Sequence, residues 1–236
     1  MQLVTNPLYM IHQYQYESTA KVTDIQQIEF GGYNVYSIHV DETIFHPQGG
    51  GQRSDKGRIN DMEVDFVQKE VLDPTNPNLI QINHIVKEKP DFEIGSMVIL
   101  RVDEEWRFQQ MSLHSAGHIL AALAEEIEPN LKAVQGHHFP GEAKVTFIGS
   151  PIDEDKLKLM LEERLDEVIR NSMPLTIVDE SGVRKLDVGG LTKEACGGTH
   201  LTNANQISSI KIRNIKSKKQ KTQIGYEIIT TLNQKG

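Results

Sequence analysis

The chain contains a single cysteine, and a histidine follows it four residues later in the segment Cys196-Gly-Gly-Thr-His200. The two glycines permit a tight turn that brings thiolate and imidazole to one point. His114 and His118 have the four-residue spacing that places both side chains on one face of a helix. If all four side chains bind one ion, the fold must bring that helix against that turn, which few arrangements of the chain satisfy.

The donor set of His114, His118, Cys196 and His200 predicts one Zn²⁺ per chain, because a thiolate disfavours magnesium and calcium. The role of the ion stays open. Four protein ligands are typical of a structural zinc site, whereas a catalytic site keeps one position for water or substrate. His200 follows two glycines and is our candidate for a displaceable ligand. Ser115 follows His114, so the His-Glu-x-x-His pattern of zinc proteases is absent.

Residues 1–103 are predicted to form an N-terminal antiparallel β-barrel domain. β-Branched and aromatic residues alternate there in several short segments, and glycines and prolines separate them. No stretch has a helical pattern of helix length. The expected strands are Val35–Val40, Glu63–Val71, Ile80–Val86 and Met97–Val102.

The pattern changes at Asp103, so residues 104–236 are predicted to form a second, α+β domain. Asp103 is a suitable N-cap for a helix that ends near Ile127, before Pro129. A second helix is expected over Asp153–Asn171, where apolar residues recur at helical spacing. The expected strands of this half are Ala133–His138, Ala143–Ile148, Leu175–Asp179, Ile207–Ile215 and Ile224–Thr230.

The net charge of −8 argues against a generally basic nucleic-acid binder, but basic residues concentrate near the C-terminal end. An RNA partner would be held by this local patch, although a solvated hairpin tip is the simpler interpretation on composition alone. No secretory signal or membrane-length apolar run is present, which predicts a cytoplasmic protein. The patch comprises Lys211, Arg213, Lys216, Lys218 and Lys219.

Four motifs occur in the order typical of the alanyl-tRNA editing family, which comprises the editing domain of alanyl-tRNA synthetase and its free-standing relatives. The chain resembles that family over nearly its whole length, and most specifically at the cysteine motif. Val134-Gln135-Gly136 also falls where the family has a glutamine lining the active site. The motifs are the glycine-rich segment 45–57, the segment 102–107, His114-Ser-Ala-Gly-His118 and Cys196-Gly-Gly-Thr-His200.

The resemblance implies an N-terminal β-barrel, then an α+β editing domain with a curved antiparallel sheet packed by helices. It also implies hydrolysis of the ester that joins a wrong amino acid, mainly serine and sometimes glycine, to the 3′ end of tRNA(Ala). Gln135 would then be the catalytic residue that orients water or substrate. Gly49, Gly50, Gly51 and Gln52 would approach the RNA terminus. The glycine loop lacks the Lys-[Ser/Thr] of a P-loop, so ATP binding is not expected.

One position departs from the family. Residue 117 is Gly, where synthetase editing domains often have Thr, so the acyl group removed is left open and a bulkier one could be admitted. His137 and His138 could line the same pocket, but ordinary strand histidines are the favoured interpretation. Two other functions stay open: a related zinc hydrolase acting on another acylated or small-molecule substrate, and a non-catalytic tRNA-binding module with a structural zinc.

Overall fold

A computed structural model describes residues 4–76 and 79–230. The chain divides into two compact units: the first comprises residues 1–49 and 53–107, and the second comprises residues 50–52 and 108–236. The boundary predicted between residues 103 and 104 stays a prediction, and residues 1–3, 77–78 and 231–236 lie outside the described residues. Among the described residues, no helix has the length and apolar character needed to cross a membrane.

The first unit is built from strands and one short 3₁₀ helix, Leu8–Met10. Its strands are β1 (Asn6–Pro7), β2 (Glu17–Phe30), β3 (Tyr33–Val40), β4 (Glu42–Thr43), β5 (Gly57–Ile59), β6 (Met62–Val64), β7 (Phe66–Val71), β8 (Ile80–Val86) and β9 (Met97–Val102). Seven of them form a sheet in the order β6-β5-β9-β2-β3-β8-β7 with antiparallel pairing, while β1 pairs with β4 in parallel. The predicted antiparallel sheet is confirmed, and its closure into a barrel stays a prediction.

A fully buried ion pair between Arg107 and Asp55 anchors the first unit. The guanidinium also donates to the carbonyl oxygens of Gln13 and Ile44, each at 2.6 Å. A buried charge is tolerated only when it is paired and hydrogen-bonded, and both conditions are met here. The pair therefore fixes the start of the first long helix against the segment that follows the glycines at 49–51.

The second unit contains most of the helical structure and two antiparallel sheets. Helix α1 spans Glu104–Ile127 and belongs to this unit from Phe108 onward. The other elements are β10 (Lys132–His137), β11 (Lys144–Ile148), α2 (Glu154–Arg170), β12 (Leu175–Glu180), β13 (Val183–Val188), β14 (Lys193–Ala195), a 3₁₀ helix (Ala204–Gln206), β15 (Ile207–Lys218) and β16 (Lys221–Thr230). The strands form the orders β10-β11-β16-β15 and β12-β13-β14. The predicted α+β class is confirmed.

Local sequence explains both long helices. Asp103 accepts a hydrogen bond from the backbone N–H of Trp106 at 2.9 Å, which confirms the predicted N-cap. Asp153, which the sequence analysis did not identify as a cap, accepts one from the backbone N–H of Lys156 at 3.0 Å. The buried leucines of α2 recur at four-residue spacing and face β15. The buried residues of α1 pack into the same hydrophobic core. His114 is also buried on this helix, so the packing of α1 fixes the orientation of its imidazole.

Candidate metal centre

The structure brings the four predicted ligands together in the second unit. His114 and His118 lie one turn apart on α1, and Cys196 and His200 lie in the turn that follows β14. One ligand atom from each residue lies within 4.8 Å of every other. This cluster could hold one metal ion, and the assignment of these side chains to zinc stays a prediction.

The spacing of the ligand atoms fits a tetrahedral ion. Zinc–nitrogen bonds of about 2.0–2.1 Å and zinc–sulfur bonds of about 2.3 Å place two nitrogens about 3.3 Å apart, and a nitrogen and a sulfur about 3.6 Å apart. The Nε2 atoms of His114 and His118 are 3.2 Å apart. Cys196 Sγ lies 3.6 Å from Nε2 of His114 and 3.1 Å from Nε2 of His200. Two of these three distances match a tetrahedral ion, and the Cys196–His200 distance is about 0.5 Å shorter than the expected spacing. The donor set of three imidazoles and one thiol suits the ion that the sequence predicts.

Each imidazole has a polar partner at its other nitrogen. His114 Nδ1 lies 2.8 Å from Gln52 Oε1, and His118 Nδ1 lies 2.9 Å from Glu194 Oε2. His200 Nδ1 lies 3.4 Å from the Ser115 hydroxyl. Such partners hold metal-binding histidines in the tautomer that leaves Nε2 unprotonated. The sequence analysis did not identify Glu194 or Ser115, because neither belongs to a ligand motif.

Gln52 is completely buried and connects both halves of the cluster. Its Oε1 accepts from the backbone N–H of Thr199 at 3.0 Å, and its Nε2 donates to the Thr199 hydroxyl at 2.7 Å. Since a backbone N–H can only donate, the atom facing it is the oxygen, and His114 Nδ1 must carry the proton that this oxygen also accepts. We expected Gln52 to bind RNA, but its buried side chain instead orients a candidate ligand.

The turn between Cys196 and His200 needs one of its glycines for a packing reason. A Cβ at Gly198 would lie 2.2 Å from Cε1 of His114 and 2.8 Å from Oε1 of Gln52. A Cβ at Gly197 would have nothing within 4 Å. Neither glycine has the positive φ that favours glycine, so Gly198 is required by the close approach of His114.

The thiol and one imidazole are electrostatically coupled. Burial alone would raise the pKa of Cys196, but the hydrogen bond and positive charge of His118 lower it overall. Burial likewise opposes the charged form of His118, but Cys196 and Glu194 raise the pKa of His118 to about 9. The cluster thus stabilises the thiolate of Cys196, which is the form that a metal ion binds. A bound cation can replace the positive charge of protonated His118.

A cavity of about 260 Å³ lies beside the cluster. His114, His118 and Cys196 contribute to its wall, together with Gln135 and Gly50. The volume is below the roughly 300–1,000 Å³ of pockets for drug-sized ligands, so it suits a group of amino-acid size. His200, expected to be the displaceable ligand, is fully buried, and the other three ligands face the cavity.

His138 also lines the cavity, contrary to our preference for an ordinary strand histidine. It lies one residue beyond β10, and its backbone N–H donates to the carbonyl of Gly51 at 2.8 Å. Its ring stacks on that of His114, with centroids 4.9 Å apart. Burial, reinforced by the neighbouring His118 and His137, lowers the pKa of His138 to about 3, so the ring is neutral.

Comparison with known proteins shows which proteins the chain resembles. Residues 183–223, which include Cys196 and His200, match the family described as the threonyl and alanyl tRNA synthetase second additional domain. The chain is 29% identical over 210 residues to the alanyl-tRNA editing protein AlaX-M of Pyrococcus horikoshii, covering 88% of this chain and 90% of that protein. Over nearly nine-tenths of its length, the chain is similar to an alanyl-tRNA editing protein.

Two longer relatives match over smaller parts of their own length. The alanyl-tRNA editing protein AlaX-L of Pyrococcus horikoshii is 25% identical, and the match covers 96% of this chain and 60% of that protein. An alanine–tRNA ligase of Saccharolobus islandicus is 30% identical, and the match covers 90% of this chain and 25% of the ligase. Segments similar to this chain thus make up 90% of AlaX-M, 60% of AlaX-L and 25% of the ligase.

The predicted basic patch lies on the β15–β16 hairpin. β15 has an irregularity between Ile212 and Asn214, which keeps isoleucines on the inner face on both sides of it. Arg213 donates to the carbonyl oxygens of Gly141 and Ala143, at 2.5 and 2.6 Å, so its guanidinium already has backbone partners. The remaining predicted members of the patch are exposed: Lys211, Lys216, Lys218 and Lys219.

Proposed function

We propose that this protein is a deacylase that edits mischarged tRNA(Ala), releasing serine, and also glycine, from the 3′ end. The observation that carries the proposal is the cluster of four close donor atoms beside a cavity of amino-acid size. AlaX-M and AlaX-L are both alanyl-tRNA editing proteins by name, which supports the same role here. The cofactor proposed is one Zn²⁺, held by His114, His118, Cys196 and His200.

A bound zinc ion would supply a positive charge that positions and polarises the ester or a water. The protein contributes positioning, because an aminoacyl ester is already reactive. Gln135 is exposed and lines the cavity, and its amide offers both a donor and an acceptor for the ester carbonyl and the attacking water. Gly50, at the cavity wall, offers a close approach of backbone to the 3′ terminus.

The tRNA body would be held by the exposed lysines of the β15–β16 hairpin. Contacts from lysines to phosphates are independent of sequence and sensitive to salt. Arg213 contributes less to this surface than the sequence suggested, because its guanidinium is bound to two carbonyl oxygens. Neither ATP nor a membrane is part of the proposed function.

The test is release of free serine from Ser-tRNA(Ala) by the zinc-loaded protein. Gln135→Ala is expected to lower kcat about 100-fold or more, since a positioned polar group contributes on this scale, while zinc content stays at one per chain. Cys196→Ala serves as the control that loses the ion. Absence of wild-type turnover above that control, with zinc bound, would refute the proposal.

Four protein ligands also favour a second function, a tRNA-binding module with a structural zinc. Under that interpretation the protein binds tRNA but releases no amino acid, and Gln135→Ala changes nothing that is measured. Binding of acylated tRNA by gel shift, together with the deacylation assay, separates the two functions.

A further inference from the structure

The space beside Gly117 is filled by a neighbouring side chain. A Cβ at Gly117 would lie 2.2 Å from Cε1 of His138 and 2.8 Å from the Tyr226 hydroxyl. A Cβ at Gly136 would lie 2.1 Å from Nε2 of His138. The imidazole therefore occupies a slot between two glycines, so Gly117 does not provide the room for a bulkier acyl group that the sequence suggested.

A directed set of hydrogen bonds fixes the tautomer of this imidazole. The Tyr226 hydroxyl lies 2.7 Å from the carbonyl oxygen of Leu113, which can only accept, so it donates its one proton there. The same hydroxyl lies 2.7 Å from His138 Nδ1 and must accept a proton from it. Nδ1 therefore carries a hydrogen, and in an uncharged imidazole this leaves the lone pair on Nε2.

Both side chains of this arrangement are buried, with His138 3% and Tyr226 1% exposed, so the ring is held firmly. Within the part of the chain that the structure describes, Nε2 of His138 has no hydrogen-bond partner. It is an acceptor on a side chain that lines the cavity beside the metal cluster. An unpartnered acceptor on a cavity wall favours a ligand that donates to it.

We propose that His138 is a specificity-determining residue whose Nε2 accepts a hydrogen bond from the side-chain hydroxyl of a seryl group in the cavity. The inference rests on the proposed deacylase function. A seryl ester differs from an alanyl ester by that one donor, and a neutral imidazole suits a neutral hydroxyl. The α-ammonium, common to all aminoacyl esters, is better matched by the carboxylate of Glu194, which lines the same cavity.

Two substitutions separate recognition from packing. In His138→Asn the amide nitrogen can take the place of Nδ1 and keep the bond to Tyr226, but no atom remains at the place of Nε2. In His138→Gln the longer side chain can put its amide oxygen where Nε2 stands. Both variants need a check of zinc content, because the ring of His138 stacks on that of His114.

The measurement is kcat/KM on seryl-, glycyl- and alanyl-tRNA(Ala). His138→Asn is expected to lower the value for the seryl ester about tenfold, the scale of one lost hydrogen bond, and to leave that for the glycyl ester within about twofold. His138→Gln is expected to keep most of the preference for serine over alanine. The glycyl ester is the internal control, since it has no hydroxyl.

Equal losses on the seryl and glycyl esters would overturn the inference and leave the deacylase function standing, because they indicate a structural role. An unchanged seryl rate in zinc-loaded His138→Asn would overturn it as well. A wild-type protein that hydrolyses none of the three esters would refute the proposed function and the inference together.

Discussion

Gly198→Ala should disrupt the candidate metal centre, whereas Gly197→Ala should not. The new Cβ at residue 198 would lie 2.2 Å from Cε1 of His114, and ordinary contact begins at 3.4 Å, so the ring must move by about 1.2 Å. Metal–ligand distances tolerate about 0.2 Å. The imidazole cannot keep its place as a ligand, and the Gln52 oxygen 2.8 Å from the same Cβ is displaced with it.

The expected result is a loss of zinc affinity of at least about 100-fold, or about 2.7 kcal/mol, since a ligand and its outer partner are both disturbed. Competition with a chromophoric chelator measures the affinity, and visible absorption of the Co²⁺ form reports whether the site stays tetrahedral. Gly197→Ala is the matched control, one residue away in the same turn with nothing within 4 Å of its Cβ. Zinc affinity of Gly198→Ala within threefold of wild type, or an equal loss in Gly197→Ala, would show that the packing argument is wrong.

Three further predictions concern other parts of the molecule. Gln52→Leu should lower zinc affinity about 10- to 100-fold. Gln52→Glu should lower it much less, because the carboxylate still accepts a hydrogen bond from His114. Equal zinc affinities of the two variants in the chelator competition would contradict this prediction. The double variant Lys216→Glu, Lys218→Glu should weaken tRNA binding and reduce the slope of log K against log salt by about one per lost phosphate contact; an unchanged slope would count against the patch. His84 is fully buried, and burial lowers its pKa to about 4, so NMR should find its ring neutral at pH 5.5. Because this folded-state pKa lies below the unfolded value of about 6.5, stability should fall as the pH drops from about 6.5 to 4, and His84→Gln should flatten that slope in denaturant titrations.

Local signals explain the parts of the fold that the sequence predicted. Asp103 marks the start of the first long helix, and apolar residues at helical spacing mark the second. The core strands of the second half contain β-branched residues. The long strand β2 was not predicted, because it contains many polar residues, and the register with β3 shifts between Val22 and Asp24. β13 was also missed, since its six residues include three charged side chains and give no alternating pattern.

The four candidate ligands could be predicted because their spacing is a local property of one helix and one turn. Their partners could not be predicted in the same way. Gln52 is remote in sequence from His114, and Glu194 precedes the cysteine motif with no spacing rule to mark it. His138 resembles an ordinary strand histidine until Tyr226 is placed beside it. Contacts of this kind depend on tertiary packing, which periodicity does not encode.

The hydrogen bond between Gln52 and Thr199 can form only late in the synthesis of the chain. The two residues are 147 positions apart in the chain. At a synthesis rate of about 5–20 residues per second, Gln52 leaves the ribosome's active site about 7 to 30 s before Thr199 is made. Through that interval the amide that orients His114 has no partner in the Cys196–His200 turn. On a translating ribosome, the cluster of four side chains is therefore completed only late in synthesis.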